Sequence, residues 1–141
     1  MQFLKIATNL PKVSKYAFIK HKLPSCFTVW LYTFTFGCTE LDQKNWAVDF
    51  GGLKPLKKWL EDNFDHKTAI DRDDPFLYKF AELENMGLCE VVVMDGVGAE
   101  KFAEHAFNFA DNLVREATDN RCWCVSAECA EHGSNSAIYE A

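Results

Sequence analysis

The sequence lacks a long apolar run, a run of basic residues and a stretch rich in proline, glycine or serine. A membrane-spanning helix needs roughly 18 to 20 consecutive apolar residues, so no membrane partner is expected. The first residues also lack the apolar stretch and the cleavage site of a signal peptide. We therefore expect a cytoplasmic protein, in the host cytoplasm if it is virus-encoded. The missing linker predicts a single domain over residues 1–141.

Positive charge is scarce, because 15 Lys and Arg residues face 21 Asp and Glu residues, which gives a formal net charge of −6. Such a chain is repelled by nucleic acid phosphates, so no nucleic acid partner is expected. The densest group of lysines lies in residues 12–22, which we interpret as a solvated loop.

Six cysteines are present, and in the cytoplasm they are expected to be thiols rather than disulfides. Near the end of the chain, three thiols and one imidazole that could bind a metal occur close together: Cys122, Cys124, Cys129 and His132. Their spacing is not one of the common zinc patterns. A continuous strand would also separate Cys124 from Cys129 by roughly 16 Å. We interpret these cysteines as structural thiols.

Apolar periodicity predicts an α+β protein with helices on one face of an antiparallel sheet. The predicted strands are residues 2–8, 25–37, 91–94, 121–129 and 136–141, with a short extended piece at 46–50. The predicted helices are residues 52–64, 75–86 and 99–117. Residues 9–24 contain two prolines and four lysines and are predicted to be a loop.

Several of these elements have recognisable faces. Strand 25–37 alternates so that Trp30, Tyr32, Phe34 and Phe36 share one face, with Leu31, Thr33 and Thr35 on the other. Both faces are largely apolar or β-branched, which is typical of a strand covered on both sides. The inward residues of helix 75–86 are predicted to be Phe76, Phe80 and Leu83. The apolar stripe of helix 99–117 is predicted to be Phe102, Ala106, Phe109, Ala110, Leu113 and Ala117.

Four short stretches occur in an order that is similar to a known family. They are WAVDF with LK at 46–54, FDH at 64–66, VGAE at 97–100 and VSAE followed by AIY at 125–139. They resemble the patterns G-M-V-x-D-F-x-x-L-K, L-D-H, P-T-x-E-N and V-x-V-x-E-T…A-x-Y. These patterns are those of the 6-pyruvoyl-tetrahydropterin synthase and 6-carboxytetrahydropterin synthase family, which has the tunnelling fold.

The resemblance implies a four-stranded antiparallel sheet with two main helices on one face. It also implies that the sheets of several subunits join into a barrel with sites at the subunit interfaces. The expected partners are therefore further copies of the chain, in a tetramer or hexamer, and a pterin-like or guanine-like small molecule.

The resemblance also implies three site residues. Glu128 would accept hydrogen bonds from the pterin edge, and Asp65 with His66 would move a proton. A carboxylate can make a two-point, charge-assisted contact with such an edge, and a carboxylate beside a histidine fixes its tautomer. Outside this family context, Asp65 and His66 are typical of a helix C-terminal turn, and Glu128 is typical of an exposed strand end. Glu100 is interpreted as a first-turn carboxylate that stabilises the helix dipole.

The sequence departs from the family at the zinc site, which uses three histidines. The pattern A-A-H-x-L-P, placed at residues 6–11, puts Thr8 at the first histidine position. The pattern H-G-H, placed at 25–27, falls on Ser25, Cys26 and Phe27, and residues 9–24 lack the catalytic cysteine. His21 and Cys26 lie nearby, but zinc needs three or four ligands. No metal site and no zinc cofactor are therefore expected.

Three functional hypotheses follow from the resemblance. The first is a divergent carbon–oxygen lyase that acts on 7,8-dihydroneopterin triphosphate, in pterin or 7-deazaguanine (queuosine precursor) metabolism. The second is a non-catalytic relative that binds a pterin or purine, or that has only a structural role as an oligomer. A third is another chemistry of the same fold that needs no zinc, as in its aldolase or nitrile-reductase branches.

Overall fold

The computed structural model describes the backbone of residues 2–6, 16–24, 29–131 and 135–141, and the side chains within 30–131 and 135–141. Five antiparallel strands form the main sheet in the order β1-β2-β3-β6-β7. They are β1 (Gln2–Ile6), β2 (Tyr16–Pro24), β3 (Val29–Cys38), β6 (Cys122–Glu131) and β7 (Asn135–Glu140). This sheet and the helices below confirm the predicted α+β class.

The elements between β3 and β6 form the helical layer. They are α1 (Lys54–Phe64), β4 (Thr68–Asp71), α2 (Leu77–Asn85), β5 (Val91–Met94) and α3 (Ala99–Thr118). Strands β4 and β5 are parallel and form a small separate sheet. Among the helices of the described ranges, none is long and apolar enough to cross a membrane.

Strand β3 contributes one face to the core. Tyr32, Phe34, Phe36 and Cys38 are fully buried, and they pack with buried residues of α1 and α3. Leu31, Thr33 and Thr35 point to the opposite, outer face and are half-buried. The two faces predicted for this strand are therefore confirmed, because side chains alternate with a period of two along any regular strand.

The two main helices each bury one stripe against the sheet. In α1 the stripe is Leu56, Leu60 and Phe64, and Pro55 lies in the first turn, where its missing N–H is tolerated. In α3 the buried residues are Phe102, Ala103, Ala106, Phe107, Ala110 and Val114. The predicted α3 stripe is thus wrong at its C-terminal end, since Ala117 is exposed and the buried face is rotated toward Phe107 and Val114.

The largest correction concerns the amino-terminal part of the chain. Residues 16–24 form strand β2 and pair with β3 over its whole length, so the prediction of a loop over 9–24 is wrong there. The main sheet consequently has five strands rather than four. Lysine and proline suggested a loop, but Pro24 is the last residue of the strand, where proline is tolerated.

Two predictions in the middle of the chain also need correction. Helix α2 exists, but none of its residues is buried, and Phe76 and Leu83 are exposed rather than inward. Residues 46–50 are not extended: Asp49 accepts a hydrogen bond from the Gly51 N–H at 2.9 Å and begins a 3₁₀ turn over Phe50–Leu53. In β5, which was predicted to be buried, Val93 is exposed and Met94 is buried.

Strand β6 contains a bulge that controls which side chains face the core. Phe36 pairs with Cys124 while Thr35 pairs with Ser126, so Val125 is the extra residue. A one-residue shift in a strand moves the following side chains to the other face. As a result, Cys122 and Cys124 before the bulge share the core face with Ala127 and Cys129 after it.

Candidate functional site

The predicted pair Asp65 and His66 lies where α1 ends. The Asp65 N–H donates to the Glu61 carbonyl at 3.1 Å, which closes the last helical turn. His66 then adopts a left-handed backbone conformation with φ of 56°. That conformation is uncommon for a residue other than glycine, and such residues are concentrated at functional sites.

The two side chains are in contact. Asp65 Oδ1 lies 2.6 Å from His66 Nδ1, and the His66 side chain is 73% exposed while that of Asp65 is 37% exposed. An ionised carboxylate only accepts hydrogen bonds, so Nδ1 carries the proton and Nε2 is the nitrogen left to exchange one with a ligand. The structure therefore brings Asp65 and His66 together, and the Asp65 carboxylate orients the His66 imidazole.

Aromatic side chains fix the end of α1 in place. The Phe64 ring, one residue before Asp65, lies 5.0 Å from the Tyr32 ring, 5.1 Å from the Phe102 ring and 5.8 Å from the Trp59 ring. Each such ring pair stabilises the fold by more than the burial of its apolar surface alone. Tyr32 belongs to β3, Phe102 to α3 and Trp59 to α1 itself, so two other elements hold the helix end that presents His66.

Glu128 lies on the outer face of the sheet. It is half-buried, and its cross-strand partners are Thr33 on β3 and Ile138 on β7. Ala127 and Cys129 on either side of it are fully buried in the core. The bulge at Val125 causes this placement, because a regular strand would put Glu128 on the same face as Cys122 and Cys124.

The structure does not bring Glu128 together with Asp65 and His66 in one chain. Asp65 and His66 follow a helix that packs on the core face, whereas Glu128 faces away from the helices. Three clefts of about 630, 490 and 390 Å³ occur in the described part of the surface. Their lining residues do not include any of the three.

The three thiols of β6 are poor nucleophiles while they are buried. Burial raises the pKa of the Cys129 thiol to about 12, with a further increase from nearby carboxylates. Burial also raises the pKa of Cys124 well above its usual value and, to a lesser degree, that of Cys122. Since the thiolate is the reactive form, these cysteines have the character of structural core residues.

The residues described here do not fit a zinc ion. Among the described side chains, those of residues 30–131 and 135–141, no three from His, Cys, Asp or Glu come together as a metal site. Thr8, Ser25, Cys26, Phe27 and His132 lie outside the described residues. The absence of zinc therefore stays a prediction.

A sequence profile described as 6-pyruvoyl tetrahydropterin synthase matches residues 29–141. The chain belongs to this family. The match includes Asp65, His66 and Glu128, but it does not assign a role to any of them.

Two individual proteins are similar to this member of the family. The 6-carboxy-5,6,7,8-tetrahydropterin synthase of Rickettsia typhi is 33% identical over 76 residues, which are 52% of this chain and 54% of that relative. The chain thus spans about half the length of the curated relative it matches. The crystal structure of an uncharacterized protein from Wolinella succinogenes aligns with a TM-score of 0.66 and 20% identity, covering 80% of this chain and 77% of that one. This second likeness supports the fold alone.

In the sequence, His21 is considered only as a residue near the zinc positions, because the family pattern A-A-H-x-L-P is aligned with residues 6–11 and puts Thr8 at the histidine position. In the structure, the strand beside β3 ends with His21-Lys22-Leu23-Pro24, which has the same order of residues. The profile match begins at residue 29 and covers neither His21 nor Thr8, so the placement of Thr8 at the family's first histidine position stays a prediction.

Proposed function

We propose that this protein binds a reduced pterin and acts as a carbon–oxygen lyase of the 6-carboxytetrahydropterin synthase type, with 7,8-dihydroneopterin triphosphate as substrate. The contact between Asp65 Oδ1 and His66 Nδ1 at 2.6 Å, at a rigid helix end with an exposed imidazole, carries this proposal. The name of the Rickettsia typhi relative supports the choice of reaction. The product would belong to pterin or 7-deazaguanine metabolism.

The proposed chemistry is a proton transfer coupled to elimination. His66 Nε2 takes a proton from the side-chain carbon next to the one that bears the triphosphate. A carbon–carbon double bond forms as triphosphate leaves with the electrons of the broken carbon–oxygen bond. The Asp65 carboxylate stabilises the imidazolium that forms, and His66 Nε2 later returns the proton to a carbon of the resulting enol.

Glu128 is proposed to hold the pterin ring. Its carboxylate would accept two hydrogen bonds from the 2-amino group and the adjacent ring N–H. Since Glu128 and His66 are on opposite sides of the sheet in one chain, a complete site needs a second copy of the chain. The proposed partner is therefore the protein itself, in a tetramer or hexamer.

The first experiment measures turnover of 7,8-dihydroneopterin triphosphate by the purified protein. We expect His66→Ala to lower kcat about 10²-fold or more, the usual contribution of a general base. Asp65→Asn should lower it roughly 10- to 100-fold, because the amide oxygen can still accept from Nδ1 but the negative charge that stabilises the imidazolium is lost. His105→Ala is the matched control, since His105 lies on α3 and is proposed to have no role in the reaction. Unchanged turnover in His66→Ala would refute the proposed role.

A second candidate function is binding without catalysis, and the departures at the zinc positions favour it. Titration calorimetry with 7,8-dihydroneopterin tests this hypothesis independently of turnover. Glu128→Gln should weaken binding roughly 10- to 100-fold, because charge-assisted hydrogen bonds to the ring are lost. Glu140→Gln is the control, since Glu140 is the cross-strand partner of Ser126 and lies on the same sheet face as Glu128. If both variants bind as the wild type does, Glu128 is not the anchor.

A further inference from the structure

Two core cysteines face each other across the end of the β3–β6 ladder. Cys38 is the last residue of β3, Cys122 is the first residue of β6, and the two are register partners. Both are fully buried on the core face of the sheet. They are thiols in this structure. The other core cysteines of β6 have aromatic partners instead, because Cys124 pairs with Phe36 and Cys129 with Tyr32.

The hydrogen-bond pattern places this cysteine pair at the closer kind of cross-strand position. The Thr39 N–H donates to the Arg121 carbonyl at 3.1 Å, so the next pair outward, Thr39 with Arg121, is the hydrogen-bonded one. Hydrogen-bonded and non-hydrogen-bonded pairs alternate in an antiparallel ladder. Cys38 and Cys122 therefore form a non-hydrogen-bonded pair, whose Cα atoms lie about 4.5 Å apart. That separation is within the range that disulfides span.

From this geometry we propose that Cys38 and Cys122 form an intramolecular disulfide under oxidising conditions. The bond would link β3 to β6 and close the loop that contains α1, α2 and α3, including Asp65 and His66. The proposal concerns a redox modification of the fold and does not depend on the proposed lyase activity.

The surroundings of the pair tolerate the bond. In the reduced protein, the Cys122 thiol donates to the Ala47 carbonyl at 2.7 Å. Oxidation removes that donor, but the Arg121 guanidinium also donates to the Ala47 carbonyl, at 3.0 Å. The carbonyl therefore keeps a hydrogen bond, and oxidation does not leave a buried acceptor without a partner, which would be costly.

The pair also has a route to solvent. The ladder ends at this pair, and of the next residues outward, Thr39 is exposed and Arg121 is half-buried. Opening only this end of the ladder would expose both thiols, and strand ends open far more often than whole domains. Because burial raises the pKa of the Cys122 thiol, we expect oxidation to be slow in the closed state.

The oxidant is a low-molecular-weight disulfide such as oxidised glutathione. One cysteine thiolate attacks it and releases one glutathione, which gives a mixed disulfide. The second cysteine thiolate then attacks the mixed disulfide at the protein sulfur, which forms the Cys38–Cys122 bond and releases a second glutathione. In total, two thiols lose two protons and two electrons, and one oxidised glutathione becomes two reduced glutathiones.

The full chain is incubated in a glutathione redox buffer, and a second sample is refolded in the same buffer. Both samples are then quenched with acid and alkylated. Peptide mapping should find a linked peptide that contains Cys38 and Cys122. The oxidised protein should unfold at a Tm about 5 °C or more above the reduced protein, and dithiothreitol should reverse the shift. Cys38→Ser and Cys122→Ser should abolish both results, while Cys124→Ala, a matched core variant on the same strand, should keep them.

Several outcomes would overturn the proposal. Refolded protein that keeps both thiols, that carries only mixed glutathione disulfides, or that links either cysteine to a different one would show that the pair does not close. A linked pair that lowers the Tm would show that the native geometry does not accommodate the bond.

Discussion

At the scale of single residues, Tyr32 stands out within the described side chains. It is fully buried, and its hydroxyl is the one buried side-chain nitrogen or oxygen there without a well-formed hydrogen bond. Burial raises the pKa of this phenol far above its usual value, and the Cys129 thiol, a weak hydrogen-bonding group, lies beside it. A buried hydroxyl without a good partner costs free energy, so this residue is not optimal for stability.

We predict that Tyr32→Phe leaves the free energy of unfolding unchanged or raises it by up to about 1 kcal/mol, because it removes a poorly satisfied polar group but keeps the ring. Urea unfolding monitored by circular dichroism measures the difference. Tyr139→Phe is the control, since that ring is half-buried against Phe107. A loss of more than about 1 kcal/mol in Tyr32→Phe would mean that the hydroxyl has a strong partner in the folded protein.

At the scale of elements, the bulge of β6 decides the function proposed for Glu128. The sequence alone predicted the strand, but it predicted neither the bulge nor the face on which Glu128 lies. The alternation of core-facing and outward side chains that begins at Cys122 is interrupted at Val125. No local feature of the sequence marks this position. The bulge depends on tertiary contacts, and one of these comes from α3.

Asp111 of α3 supports the strand next to the bulge. Its Oδ1 accepts the Cys124 N–H at 2.8 Å, and its Oδ2 accepts from the Arg115 side chain at 2.8 Å. We predict that Asp111→Ala lowers the free energy of unfolding by about 1–3 kcal/mol, because a partly buried N–H loses its acceptor. Thermal unfolding should show a Tm decrease of roughly 2–4 °C per kcal/mol.

Asp111→Asn separates the two contacts of this side chain. The amide oxygen can still accept the Cys124 N–H, whereas the charge pair with Arg115 is lost. That pair is only partly buried and still open to solvent, so it is worth little, and Asp111→Asn should cost less than half as much as Asp111→Ala. Equal losses in the two variants would show that the ion pair, rather than the strand contact, stabilises this region.

The elements that the sequence predicted well are those with one clear apolar period. Strand β3 and helix α1 bury the apolar residues that share one face in their sequences, because the core covers one side of each element. Strand β2 was missed because its two lysines and its one proline are typical of a loop, although they are also compatible with a strand near the sheet edge. Helix α2 was predicted, but its inward face was not, because no large element covers it.

At the scale of the whole molecule, the outer face of the main sheet raises the question of assembly. In its described part this face includes Leu31, Thr33, Ala130 and Ile138, and Ile138 is 60% exposed. The helices pack on the opposite face. The proposed site residues are likewise divided between the two sides of the sheet, so a single chain does not complete the site.

We predict that the purified protein is a homo-oligomer, a tetramer or hexamer, held together through this sheet face. Native mass spectrometry and light scattering should give the subunit number. Ile138→Arg should reduce that number and also lower turnover or pterin binding, because a buried, unpaired charge destabilises an interface. Leu88→Arg is the control, since Leu88 is 67% exposed and lies in the loop before β5.

The outcomes separate assembly from function. A wild-type monomer would refute the barrel and, with it, the proposal that Glu128 and His66 meet between subunits. An oligomer that Leu88→Arg dissociates and Ile138→Arg does not would place the interface on the helical side. If Ile138→Arg dissociates the oligomer but leaves pterin affinity intact, the pterin is held within one subunit. In that case, the assembly would serve only to bring His66 of one copy to the substrate bound by another.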